Sequence, residues 1–333
     1  MKLATLRDGS RDGRLVVVCR RLEYAVDATA IAPTLQNAIE RWSEVEPALN
    51  ALYEALNRRA ALGTFAFNVH SIAAPLPRAY QWCDASAFLT HGERMQLAFG
   101  LAPIEGVDST PLMYQGASDD FLGPCEDIGL PSEAHGIDFE GEFAVVVDDV
   151  PMGCSHEQAA QHIKLLLQLN DVSLRQLAPR EMKTGFGFIQ AKPATSFAPV
   201  AVTPDELGPA WRDGRIHLSL QVKLNGQLIG RASAGEMHFS FPQLIAHAAL
   251  TRRLHAGTVI GSGTVSNSDP EVGVSCLSEK RAMEMVSDGR PLTAFLQFGD
   301  RVQMEACTAA GDCLFGAIDQ RVTHNSATPS ASI

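Results

Sequence analysis

One stretch of the chain sets carboxylates into apolar surroundings: Ile137-Asp138-Phe139-Glu140-Gly141-Glu142-Phe143-Ala144-Val145-Val146-Val147. Its β-branched end reads as a strand, and because strand side chains alternate faces, Asp138, Glu140 and Glu142 then project together. Like charges that close repel. Either the strand has a wet face that solvates them, or a hard divalent cation neutralises them, since carboxylate oxygens are the ligands that Mg²⁺, Mn²⁺ and Ca²⁺ prefer. Three smaller constellations accompany the run. In Asn170-Asp171-Val172-Ser173-Leu174-Arg175 an acid and a base flank a polar turn, for which a turn residue paired to Arg175 is the plainer account. Trp82-Cys83-Asp84 is followed seven residues on by His91, a side chain able to exchange protons near neutral pH, though an isolated histidine is most often a surface or hydrogen-bonded residue. The small residues of Gly261-Ser262-Gly263-Thr264 let backbone N–H groups approach a ligand, or simply make a tight turn.

Other chemistries lose support. The chain has no G-x-S-x-G, H-E-x-x-H or G-x-G-x-x-G, and its glycines lack the spacing and the Lys-Ser/Thr of a phosphate loop. With 38 acidic against 27 basic side chains, a net charge of −11 and no basic run, nucleic acid is not an expected partner. No window approaches the ~18 apolar residues of a membrane span, and the amino terminus shows no apolar h-region, so a cytoplasmic protein with no membrane partner is expected. Seven cysteines without a C-x-x-C suggest reduced, partly buried thiols.

Elements must position these groups. At 333 residues and 46% hydrophobic, the chain is long enough for two domains. Short alternating runs (KLATL, RLVVVC, LEYAV) predict a meander, followed by two short helices between Thr34 and Arg59, with Pro47 expected at the first turn of the second. A Gly/Pro-rich break places a boundary near residue 76. Beyond it the pattern is mainly β. Asn225-Gly226 between alternating runs predicts a hairpin. Ser240-Phe241-Pro242 opens a helix expected to run to about His255, and strands are expected near 258–262, 300–306 and 313–318. Ser155 with Gln158 reads as a capping box, after which HIKLLLQL fits a helix or a strand. The expected fold is mainly β with some α (α+β): a small α+β domain over 1–76, a main domain over 77–323 and a flexible tail over 324–333.

Taken together and in order, these segments resemble the fumarylacetoacetate hydrolase family over about Pro77 to Val322, through five separate motifs. The resemblance implies a mixed β-roll, a usual homodimer, and a small N-terminal domain of the kind found in bacterial members of roughly 330 residues. It implies a divalent metal, Mg²⁺ with Ca²⁺ or Mn²⁺ as alternatives and no organic cofactor, held by Asp84, Glu140, Glu142 and Asp171. It implies a general base at His91, oriented by Glu279, with Glu284 as the fallback, and basic groups at Arg175 and Lys192 that stabilise the carbanion or enolate left by carbon–carbon cleavage. Leu112-Met113-Tyr114-Gln115-Gly116-Ala117-Ser118 matches a substrate-contact segment through Tyr114, Gly263 and Thr264 match the opposite wall, and Ser196 matches a hydroxyl that supports a metal ligand.

The match is incomplete at the outer pocket. Ser86, Gly100, Ala178 and Met182 stand where the animal enzyme carries tyrosine, arginine and two polar contacts. The metal and base positions are kept while the outer pocket differs. The expectation is a metal-dependent hydrolase of a β-diketone or acylpyruvate-type acid, fumarylacetoacetate or a close relative, in tyrosine or related aromatic catabolism. The rivals are a 2-oxo acid decarboxylase, hydratase or isomerase of the same superfamily, and a noncatalytic dicarboxylate-binding protein.

Overall fold

Residues 1–308 and 311–325 are described by a computed structural model, so residues 326–333 of the expected tail lie outside the described residues. The meander forms as its alternation implies, from antiparallel strands Lys2–Leu6, Arg14–Val18 and Tyr24–Asp27. Lys2 and Leu3 also pair with Val202 and Ala201, so the amino-terminal strands continue the main sheet.

The two helices break elsewhere than expected. They span Leu35–Glu40 and Trp42–Asn57, parted at Arg41, and Pro47 lies inside the second helix rather than at its start. A proline within a helix costs ~3 kcal/mol or more through its missing N–H and its ring. The buried stripe Trp42, Val45, Leu49, Tyr53 and Leu56 outweighs this, each large side chain contributing ~1.5–3 kcal/mol.

An eleven-stranded sheet forms the backbone of the molecule. Five of its strands lie side by side in the order Met113–Gly116, Trp82–Ala85, Thr258–Gly261, Gly141–Val147 and Ile163–Asn170. All are antiparallel neighbours except Thr258–Gly261, which runs parallel to Trp82–Ala85. Each delivers a residue of interest within two positions of one of its ends. The ambiguous stretch resolves into both readings in turn: the Ser155/Gln158 capping box starts a one-turn helix, His156–Ala159, and Ile163–Asn170 is a strand whose Leu165, Leu166 and Leu167 are buried on both faces.

A second, five-stranded sheet contains the expected hairpin, Ser219–Leu224 and Gln227–Ser233, with Asn225 and Gly226 both at positive φ. Two expectations are corrected. The helix after the Ser240/Gln243 capping box ends at Ala248, because Leu254 pairs with Val150 and draws the chain off the helix axis. The last strand is Ile318–His324 rather than 313–318: the chain first turns through Gly316, at φ +76°. The mainly β, α+β architecture is as expected.

Candidate metal centre and active site

The acidic run is two strands, Ile137–Asp138 and Gly141–Val147, with Phe139 and Glu140 between them. Asp84, Glu142 and Asp171 are buried and offer carboxylate oxygens that all lie within 4.8 Å of one another. Asp84 accepts from the Gly263 N–H at 3.1 Å. Asp171 accepts from Thr195 Oγ1 at 2.7 Å and Tyr114 Oη at 2.5 Å. Both oxygens of Glu142 are buried with no partner at all. Burial first, then the Asp171 carboxylate, pushes Asp84 up to about 8. Burial, with Asp84, Asp171 and Glu140 nearby, drives Glu142 well above its usual range.

Glu140 has the opposite fate. Burial alone would raise it, but Arg175 and Lys192 outweigh burial and hold it well below the ordinary carboxylate range. Arg175 Nη2 donates to Glu140 Oε1 at 2.5 Å and Nε to Asp138 Oδ2 at 2.8 Å. Lys192 Nζ bridges Glu140 Oε2 and Asp171 Oδ2, at 2.5 and 2.6 Å. Burying an ionised carboxylate without a partner is prohibitively costly, so the partnerless oxygens of Glu142 are a place that a cation would complete. Asp84, Glu142 and Asp171 could hold a hard divalent ion, an all-oxygen donor set that suits Mg²⁺, Mn²⁺ or Ca²⁺, whereas Glu140, the fourth expected ligand, has both oxygens taken by Arg175 and Lys192.

Glycine makes room for this cluster. A Cβ on Gly261 would meet Asp84 Oδ1 at 2.3 Å, and one on Gly263, at φ +77°, would meet the Ala85 carbonyl oxygen at 2.2 Å. The Gly263 N–H is engaged by Asp84, while Thr264 beside it is buried. Tyr114 sits opposite Asp84 in the sheet, packs edge-on against Phe188 with ring centroids 5.0 Å apart, and has Lys192 Nζ 5.3 Å from its ring centroid.

The helix Leu89–Phe99 carries His91, whose Nδ1 lies 2.7 Å from Glu279 Oε2. Glu279 lies in the first turn of the helix Leu277–Asp288, where Asp138 accepts from the Leu277 and Ser278 N–H groups at 2.8 and 2.9 Å. Asp138 thus ties Arg175 to the start of the helix that bears Glu279. Ser266 Oγ and Arg94 Nη1 also donate to Glu279. Burial would raise this carboxyl, but the bonds and charges of His91 and Arg94 prevail and lower it. Glu284, the fallback, instead accepts from the Leu292 and Thr293 backbone at 2.6 and 2.7 Å.

The hydroxyl that reaches Asp171 belongs to Thr195; the Ser196 Oγ is buried without a partner. Ser196 pairs with Asn170 in the sheet, and strand alternation turns neighbouring side chains to opposite sides. No role for Arg94, Thr195 or Ser266 is read from the sequence, and Asp138, expected to project with Glu140 and Glu142, instead accepts from Arg175 and from the Leu277 and Ser278 N–H groups. Arg94 was signalled by its place three residues after His91, on the same helix face.

A mainly β scaffold gathering buried carboxylates beside a His–Glu pair defines the class: the fumarylacetoacetate hydrolase superfamily of enzymes, whose members include hydrolases, isomerases and an oxaloacetate tautomerase. The chain belongs to the fumarylacetoacetate hydrolase family, with residues 81–323 matching "Fumarylacetoacetate (FAA) hydrolase C-terminal" and residues 1–78 "Fumarylacetoacetase N-terminal domain 2". It is 27% identical over 179 residues to an uncharacterised protein of Archaeoglobus fulgidus, covering 53% of this chain and 64% of that one. It is 27% identical over 171 residues to the mitochondrial oxaloacetate tautomerase fahd2 of Xenopus laevis, covering 50% of each. The chain thus spans half to somewhat under two thirds of these relatives' lengths. Its fold is similar to that of maleylpyruvate hydrolase from Sphingobium sp. SYK-6 in complex with manganese(II) and pyruvate, at TM-score 0.65 and 17% identity, covering 98% of this chain and all of that one.

Proposed function

We propose that the protein is a divalent-metal-dependent hydrolase that cleaves a carbon–carbon bond of a β-diketone or acylpyruvate-type acid, fumarylacetoacetate or a close relative. The observation that carries the proposal is the pair of partnerless Glu142 oxygens beside Asp84 and Asp171, with the His91–Glu279 pair bridging the helices Leu89–Phe99 and Leu277–Asp288. Asp84, Glu140, Glu142 and Asp171 are the proposed ligands of Mg²⁺, with Mn²⁺ or Ca²⁺ as alternatives; the solved Sphingobium relative holds manganese and pyruvate. When bound, such an ion orients an oxo acid and polarises its carbonyl.

The side chains divide the remaining work. The Nδ1 bond to Glu279 fixes the His91 tautomer and leaves Nε2 to take a proton from water, which then attacks the substrate carbonyl. Breaking the bond between the carbonyl carbon and its neighbour leaves an enolate. The Lys192 ammonium and the Arg175 guanidinium supply positive charge beside it, and the proton held by His91 returns to its carbon. Tyr114, Gly263 and Thr264 are the proposed substrate walls. The same reading carries the expectation of a cytoplasmic homodimer in aromatic catabolism. Among the described residues no helix is long and apolar enough to cross a membrane.

A second reading, an oxo-acid tautomerase, isomerase or decarboxylase, is favoured by the likeness to oxaloacetate tautomerase. Product analysis separates them. Acylpyruvates, fumarylacetoacetate, oxaloacetate and 2-oxopentenoate are incubated with metal-loaded protein. Release of two acids from a diketone is the expected result; tautomerisation or CO₂ release with every diketone left intact would replace the hydrolase reading by the second one.

A further inference from the structure

The helix Leu89–Phe99 buries none of its residues, yet it presents the proposed base. An element that buries little apolar surface must be held by other means. Here one carboxylate of the facing helix holds it at two points. Glu279, fully buried, accepts from His91 through Oε2 and from Arg94 through Oε1, so two side chains one helical turn apart close on a single acceptor of the facing helix. Arg94 Nη2 reaches on to the Ser268 carbonyl at 3.4 Å, and Ser266 Oγ donates to Glu279 Oε1 at 2.9 Å.

We propose that Arg94 is a positioning residue for the reaction: it shares the Glu279 carboxylate with His91, latching the helix that bears the base and setting a cation opposite the imidazole on that carboxylate. The inference rests on the reading of His91 as the base. A carboxylate facing only the imidazole would favour the imidazolium strongly, and a protonated imidazole cannot accept a proton from water. A guanidinium on the other oxygen offsets that attraction while leaving the orienting bond intact. The titratable and charged groups around His91 are Glu279 and Cys276 from the facing helix and its cap, Glu140 from the acidic segment, and Arg94 on its own helix. Burial pushes the Cys276 thiol well up, so it stays neutral, and Glu140 is held ionised by Arg175 and Lys192. Arg94 is therefore the cation that balances Glu279.

The test is the pH profile of kcat/KM for wild type, R94M, R94K and H91A at saturating Mg²⁺, on whichever oxo acid the wild type turns over. Removing the charge in R94M should move the acid limb up by about one unit, lower kcat and leave KM and the Mg²⁺ requirement nearly unchanged. R94K keeps the charge but not the forked reach to Glu279 and Ser268, so its limb should stay near that of wild type while kcat falls. R94K also serves should R94M fail to fold: its limb moving as though the charge were gone, or its kcat remaining that of wild type, would overturn the proposal. An unmoved limb in folded R94M beside an inactive H91A would overturn the role of Arg94 alone. Turnover retained by H91A would overturn the base assignment and this inference with it.

Discussion

Replacing Glu142 by glutamine should make the metal-free protein more stable and the metal-loaded protein less so. In the folded chain Glu142 has no partner and lies beside Asp84 and Asp171, which drives both Asp84 and Glu142 to hold protons well above the normal carboxyl range. A carboxyl raised in the folded state binds a proton that the unfolded chain has already lost, so stability declines as pH rises from the unfolded value towards the folded one. With Asp84 near 8 against an ordinary 3.8, the loss reaches ~4 kcal/mol by pH 7. Glutamine removes one of the charges responsible and adds an amide donor to the cluster, worth about 2 kcal/mol in the absence of metal. A divalent ion at one hundred times its Kd stabilises wild type by about 2.7 kcal/mol, and the variant, lacking a ligand, much less. Urea unfolding at pH 6 and pH 8, in EDTA and in Mg²⁺, reads all four states. The expected result is a crossover: E142Q above wild type in EDTA, most clearly at pH 8, and below it in Mg²⁺. E142Q less stable than wild type in EDTA, or showing an equal gain from Mg²⁺, would refute the reasoning.

Three further changes probe the same framework. Gly261→Ala puts a methyl 2.3 Å from Asp84 Oδ1, so Mg²⁺ affinity should fall at least tenfold by calorimetry. Arg175→Met removes the guanidinium shared by the buried Asp138 and Glu140 carboxylates, and should cost ~3–5 kcal/mol in urea unfolding. Thr195→Val removes the hydroxyl that donates to Asp171 and should weaken metal binding by about tenfold. Ser196→Ala should leave metal affinity as it was; equal losses from the two would mean the hydroxyl assignment is misplaced.

What could be read from sequence was set by chemistry local to a few residues. The Asn225-Gly226 hairpin, the capping box at Ser155 and the helix start at Ser240 depend on backbone angles and side-chain bonds within four residues, and they form as expected. The Arg41 break and the interior Pro47 were hidden because tertiary burial of Trp42, Val45 and Leu49 overrides a local breaking signal. Alternation put Asp138, Glu140 and Glu142 on one strand face, but the run is two strands and Asp138 binds Arg175 instead; Asp84, 58 positions upstream of Glu142, meets it only through the strand Thr258–Gly261 inserted between their strands. The Thr195/Ser196 distinction turns on strand register, which spacing alone leaves open by one residue. Arg94 and Asp138 acquire their places from the packing of the facing helix, a relation between segments nearly 200 residues apart for Arg94 and Glu279.

The most direct test of the central claim is turnover of acylpyruvates and fumarylacetoacetate by metal-stripped wild type and H91A, each before and after Mg²⁺ is restored, with the released acids counted and Mg²⁺ binding measured in parallel. The account predicts that wild type releases two acids per diketone only with Mg²⁺, and that H91A binds Mg²⁺ with near-normal affinity yet releases none. Equal cleavage by H91A, or cleavage by wild type in the absence of any divalent ion, would contradict it.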